Sequence, residues 1–221
     1  TLSSSSAASD VYKRQLEYAF LSNDTGRTAE AWRIFDRIRK SGGEEARATA
    51  EQAFQNIDRP LQEGIARWTK ALEASPNDFS AHHELARLAE RRDDHELASA
   101  HYLRAWELRP ELRGLLVNLA RVWKAQGREE PAKAAALAAS RSKDTRTSEA
   151  ARELLPGRYP YVYEFRNAIE LDPANIELRR ELAYLLLAME QSREAERELE
   201  GILERAPNDL TAAAQLGLLR L

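Results

Sequence analysis

The chain has 221 residues, a formal net charge of −3, 31% charged residues and no cysteine. Acids and bases nearly balance, which argues against a nucleic-acid-binding surface with its basic excess, and the missing cysteines exclude disulfides and thiolate metal sites. No stretch reaches the ~18 consecutive apolar residues of a membrane span, and the abundance of Ala, Leu, Glu and Arg favours helices over sheets.

Residues 1–11 lack a helical period and are expected to be disordered or non-native. The opening TLSSSSAASDVYKRQ is similar to translated library-adaptor sequence and is set aside from fold reasoning. The chain begins without Met and stops at GLLRL, so a fragment is expected. From residue 12 onward, paired helices recur. Tyr18-Ala19 marks a first helix, and Ala31, Phe35 and Ile38 mark a second beyond a turn at Asn23 to Arg27 with Gly26. The next unit reads as EEARATAEQAFQN, without a clear large-small pair, followed by Gly64, Trp68 and Ala71. The third has Leu85-Ala86, a turn over Arg92 to His95, then Ala98, Tyr102 and Ala105. The fourth has Leu119-Ala120, a turn over Gln126 to Arg128, then Ala132, Ala136 and Ala139.

The fifth unit is shorter by five residues. Pro156 is expected to end its first helix and Pro160 to open its second, with a local change of pitch. Tyr159, Tyr161, Tyr163 and Phe165 are expected to fill the gap left by the shortened unit rather than to contact a partner. The sixth unit has Leu182-Ala183, a turn over Glu190 to Ser192, then Ala195, Leu199 and Ile202, and Leu216-Gly217 begins a half unit. Breaks fall near residues 43, 78, 112, 145, 175 and 209.

The spacing has a physical reason. Offsets of three and four share one helical face, so a small residue followed four later by a bulky one lets two helices approach and then fills the space between them. Pro76 and Pro110 stand 34 apart, as do Pro173 and Pro207, and each closes a unit. Asn77-Asp78 and Asn208-Asp209 can accept bonds from the free N–H groups that open the next helix.

With its large-small pair, its small residue before a bulky one, its closing proline and its 34-residue period, the chain from residue 12 to 221 resembles the tetratricopeptide repeat family. The third unit carries Leu85, Ala86, Ala98, Tyr102, Ala105 and Pro110, and the sixth departs by having Leu199 in place of the aromatic. The resemblance implies an all-α, right-handed superhelical solenoid of about six units plus a half unit, from a bacterial source. It implies a non-catalytic scaffold that binds a protein or peptide through a concave groove lined by first helices. By register that groove takes His83, Arg87, Glu90 and Arg91 from the third unit, Asn118, Arg121 and Lys124 from the fourth, and Arg180 and Tyr184 from the sixth. The surplus of cations points to an acidic peptide. The alternative is the substrate-recognition arm of a larger glycosyltransferase, kinase or protease. Cytoplasmic and cell-envelope locations both stay open.

The residues themselves offer no reaction chemistry. His82, His83, His95 and His101 lack the paired spacing of helical metal ligands, and Asp78 reads as a helix cap. No cofactor motif and no activated nucleophile is present, so no enzyme, metal or cofactor is expected. Trp68 and Trp123 are expected in the core, and Trp32 and Trp106 partly exposed between units.

Overall fold

The computed structural model describes the backbone of residues 2–221 and the side chains of residues 9–221. These residues form twelve α-helices and no strand, the all-α pattern of consecutive helical hairpins. They fall into two compact units, residues 1–108 and 109–221.

The first unit holds α1 (Leu2–Asp24), α2 (Thr28–Ser41), α3 (Glu44–Ala74), α4 (Phe79–Arg91) and α5 (His95–Leu108). Helix α1 includes residues 2–11, the stretch read from the sequence as disordered or non-native; it contains no Gly or Pro to break a helix. The α1–α2 and α4–α5 hairpins each turn on one left-handed residue, Gly26 (φ 81°) and Asp93 (φ 62°). Glycine takes that conformation without steric cost, and aspartate tolerates it.

The second expected hairpin does not form. Helix α3 is continuous over 31 residues with Pro60 inside it. One repeat before Asp93, the left-handed position falls on Arg59, and Pro60 follows it. Neither Gly, Asn nor Asp is present there to make the turn. The front of α3 packs on α1 and α2 through Ala50, Ala53 and Phe54, and its rear packs on α4. The rear half therefore has no folded-back partner of its own. Trp68, expected in the core, is consequently only half-buried, with Arg67 over its ring at 5.5 Å.

The second unit holds α6 (Gly114–Ala125), α7 (Glu129–Ala139), α8 (Thr145–Arg152), α9 (Val162–Leu171), α10 (Ile176–Ala188), α11 (Ser192–Arg205) and α12 (Leu210–Leu219). Its α6–α7 and α10–α11 turns use Gly127 (φ 72°) and Glu190 (φ 61°), the same step of the repeat as Gly26 and Asp93. Helix α8 stops at Arg152, before Pro156 is reached, and α9 starts two residues after Pro160 with Tyr161 as its cap. Helix α9 packs on α7 and α10, while α8 packs on α6 and α7.

Polar caps hold the joints. Asp78, Asp144, Asn175 and Asp209 each accept from the backbone N–H three residues on, at 3.1, 2.9, 3.4 and 2.9 Å. Each such cap is worth about 1 kcal/mol. The core follows the small-then-bulky stripe: Phe35, Tyr102, Phe165 and Leu199 are all buried. Full burial of an apolar side chain of this size contributes about 1.5–3 kcal/mol. Trp123 is buried as expected, whereas Trp106, expected to be partly exposed, is buried too, at 4% exposure. Tyr18 is the other departure, 44% exposed with its hydroxyl donating to Glu30 at 2.9 Å.

Candidate functional site

The nine groove residues of the sequence reading lie on α4, α6 and α10. On α4, offsets of four and seven or eight put His83, Arg87, Glu90 and Arg91 along one stripe. The His83 ring stacks on Phe79 at 5.7 Å. Burial, partly offset by Glu84 and reinforced by Arg87, lowers its pKa from the usual value, which favours the neutral ring. Arg87 is exposed and donates to Glu84 at 3.0 Å. Glu90 is turned inward: it accepts from the buried Tyr102 hydroxyl at 2.7 Å and so anchors α5. Arg91 is exposed.

In the second unit, Arg121 and Lys124 project from α6 as exposed cations, and Arg121 donates to the half-buried Asn118 at 2.8 Å. Arg180 of α10 is engaged elsewhere. Its guanidinium forks onto Asp209, the cap of α12, at 3.3 and 2.8 Å. The hydrogen bond raises the arginine further and holds the Asp209 carboxyl below its usual range. Tyr184 is 38% exposed on the same helix. The exposed cations of these stripes are Arg87 (paired with Glu84), Arg91, Arg121 (bonded to Asn118) and Lys124. Glu90 and Arg180 serve the fold.

Three features escaped the sequence reading. Asp58, buried in α3, accepts from Trp32 Nε1 at 2.7 Å, from Arg92 Nε at 2.7 Å and from Gln62. Burial pushes its pKa up, and the bonds from Arg92 and Trp32 outweigh that and hold it below the usual range. His82 and His101 meet across α4 and α5 with their Nδ1 atoms 2.8 Å apart, although 19 residues separate them. An i, i+4 search sees neither the histidine pair nor the Trp32 and Arg92 partners of Asp58, because packing between helices and not one helix face brings them together. Third, Tyr159, Tyr161 and Tyr163 do not fill the gap in the short unit: they are 57%, 54% and 46% exposed, and only Phe165 enters the core.

Among the described residues, no group of three or more His, Asp or Glu is placed to hold a metal ion. Among them too, no helix is long and apolar enough to cross a membrane.

Residues 162–217 match the tetratricopeptide repeat family model. That stretch takes in α9, α10, α11 and most of α12. No curated protein matches the chain. Among solved structures, the chain is similar to a thermophilic tetratricopeptide-repeat protein of Thermus thermophilus at 16% identity, covering 94% of this chain and 98% of that one with a TM-score of 0.30. It is similar to a tetratricopeptide repeat protein from Parabacteroides merdae at 16% identity, covering 95% and 99% with a TM-score of 0.33. It is also similar to YrrB, a tetratricopeptide-repeat protein with an unusual peptide-binding site, at 14% identity, covering 90% and 89% with a TM-score of 0.30.

Proposed function

Taking the chain as a tetratricopeptide-repeat protein, on the family match over residues 162–217, we propose that it is a non-catalytic scaffold that binds an acidic protein segment through the exposed stripes of its first helices. The observation that carries this reading holds in each compact unit taken by itself: exposed Arg87 and Arg91 on α4 of the first unit, and exposed Arg121 and Lys124 on α6 of the second. Guanidinium groups grip carboxylates with paired hydrogen bonds. On a helix held by its hairpin partner the backbone is already ordered, so binding costs only the ordering of the side chains themselves, about 0.5–1.5 kcal/mol each. The bulk charge of −3 does not oppose this, because exposed charges more than a Debye length away are largely screened.

The test is fluorescence anisotropy of a labelled Asp/Glu-rich peptide with the full chain. Binding should weaken as salt rises, and the combined variant Arg121→Glu with Lys124→Glu should lose about tenfold in affinity, or ~1.4 kcal/mol. Both side chains are exposed, and a thermal melt matching that of the parent chain checks that the fold is kept without the Arg121 bond to Asn118. Equal binding by the variant, or equal binding of a basic peptide of the same length, would reject the proposal.

A further inference from the structure

Two arginines of the second unit hold one step of the repeat on neighbouring helices. In α6 the buried Ala120 is followed at once by exposed Arg121, and in α8 the buried Ala151 is followed at once by exposed Arg152. Helix α7 turns back on α6 and α8 turns back on α7, so α6 and α8 run in the same direction. Gly114 opens α6 against Thr147 of α8, where an added Cβ would stand 3.7 Å from the threonine Oγ1. From that contact Arg121 and Arg152 lie roughly 10 and 8 Å along their helices. The two side chains are therefore rooted nearly level, separated by the spacing of packed helices, about 8–10 Å.

That interval selects a backbone form. On one face of a β-strand, side chains recur at about 6.7 Å and then at about 13 Å, below and above the interval. An α-helix repeats a face at seven residues, about 10.5 Å, just beyond it. A polyproline II helix turns once in about 3 residues and rises about 3.1 Å per residue, so side chains three apart share a face at about 9.3 Å. The surface also selects against a continuous polyanion. Exposed Glu149 and Glu153 flank Arg152 in the sequence. A chain charged at every residue or nucleotide would set a negative group beside them, at a cost in binding; a chain with neutral residues between its acids would not.

We propose that α6 and α8 together read an acidic segment in the polyproline II conformation, with side-chain carboxylates three residues apart on Arg121 and Arg152 and uncharged residues, proline foremost, between them. Arg152, which the register reading left out of the groove, is then a specificity-determining residue: it sets the spacing that the ligand must match. Guanidinium groups take each carboxylate with paired hydrogen bonds. Intervening prolines hold the ligand in the bound form beforehand and so lower the cost of ordering it. The proposal rests on the acidic-segment reading of the stripes and deepens it by fixing the interval and the backbone form of the ligand.

The experiment is fluorescence anisotropy of the full chain with four labelled probes: three repeats of Glu-Pro-Pro, an isomer with six prolines followed by three glutamates, three repeats of Glu-Gly-Gly, and a uridine nonanucleotide. All peptide ends are blocked, so only side chains carry charge. The spaced proline peptide should bind about tenfold tighter than its isomer and tighter than the glycine peptide. Arg152→Ala should bring the two isomers to within about threefold of each other, and Arg152→Lys should restore part of the difference; thermal melts matching that of the parent chain check the fold of both variants. Equal binding of the two isomers, or an unchanged ratio in Arg152→Ala, would overturn the spacing while leaving the acidic-segment reading in place. Equal binding of the glycine peptide would remove the polyproline II form, and tighter binding of the nucleotide would make the surface a nucleic-acid site. Failure of the acidic-segment reading itself shows elsewhere, in undiminished binding by Arg121→Glu with Lys124→Glu.

Discussion

Asp58 shows how much one side chain can hold. Its carboxylate joins the end of α4, through Arg92, to α2, through Trp32, from a position inside α3. The Asp58 side chain is 5% exposed and that of Arg92 31% exposed. Breaking a buried ion pair by removing one partner typically costs 3–5 kcal/mol, because the other charge is left uncompensated. Arg92 is only partly buried, so Asp58→Ala should cost about 2–4 kcal/mol, read as a shift in the urea midpoint; an unchanged midpoint would show that water replaces the carboxylate freely. Histidine supplies the pH dependence. His82 donates from Nε2 to the Pro76 carbonyl at 2.9 Å, which leaves its Nδ1 to accept from His101. Burial, and then His82 beside it, lowers the pKa of His101 from its usual 6.5, and burial does the same for His83. The unfolded chain therefore takes up protons before the folded one does. Stability should be level above pH 6.5 and should decline as pH falls below it toward the depressed folded values. Urea midpoints at neutral and mildly acidic pH would show this, with His101→Gln flattening the decline; a slope unchanged in that variant would place the titration elsewhere.

At the scale of elements, α3 is the departure that matters. Proline inside a helix removes one i to i−4 hydrogen bond and crowds the carbonyl four residues back, at roughly 3 kcal/mol. If α3 is continuous in solution, Pro60→Ala should raise stability by ~1–3 kcal/mol, and amides around residues 57–62 should exchange slowly with deuterium. A neutral or destabilising effect, with fast exchange there, would mean that a turn forms after all. This is also where reading the sequence reached its limit. The second-helix stripes were legible because close helix approach demands a small residue four before a bulky one, and Ala31 to Phe35, Ala98 to Tyr102 and Ala195 to Leu199 all lie in the core. The same spacing at Gly64 to Trp68 said nothing about whether α3 bends before it. The clue was negative: Arg59 stands where the other hairpins carry Gly, Asp or Glu with positive φ. The five-residue deficit of the fifth unit was legible too. What filled it was not, because alternating tyrosines in the sequence do not show which of them turn inward.

At the scale of the whole molecule, each compact unit carries long-range polar ties of its own. In the second unit Asp172, 1% exposed, accepts from Arg113 at 2.7 Å and from Asn175 at 2.9 Å, and Asn175 also donates to the Ala138 carbonyl at 3.2 Å. That network ties the start of α6, the end of α7 and the cap of α10 together. Arg141 with Glu181, and Arg180 with Asp209, add ties from the end of α7 to α10 and from α10 to the start of α12. Helical repeats draw their stability from nearest-neighbour packing rather than from distant partners. The ties just named lie wholly inside the second unit and stay whole when it is expressed by itself. Residues 109–221 expressed alone should therefore give a helical circular-dichroism spectrum and a single cooperative melt. Asp172→Ala in that piece should cost about 3–5 kcal/mol, since it strands Arg113 and unties the Asn175 cap at once. A gradual, non-cooperative melt of the unsubstituted piece would show that these internal ties are too weak to define a folding unit.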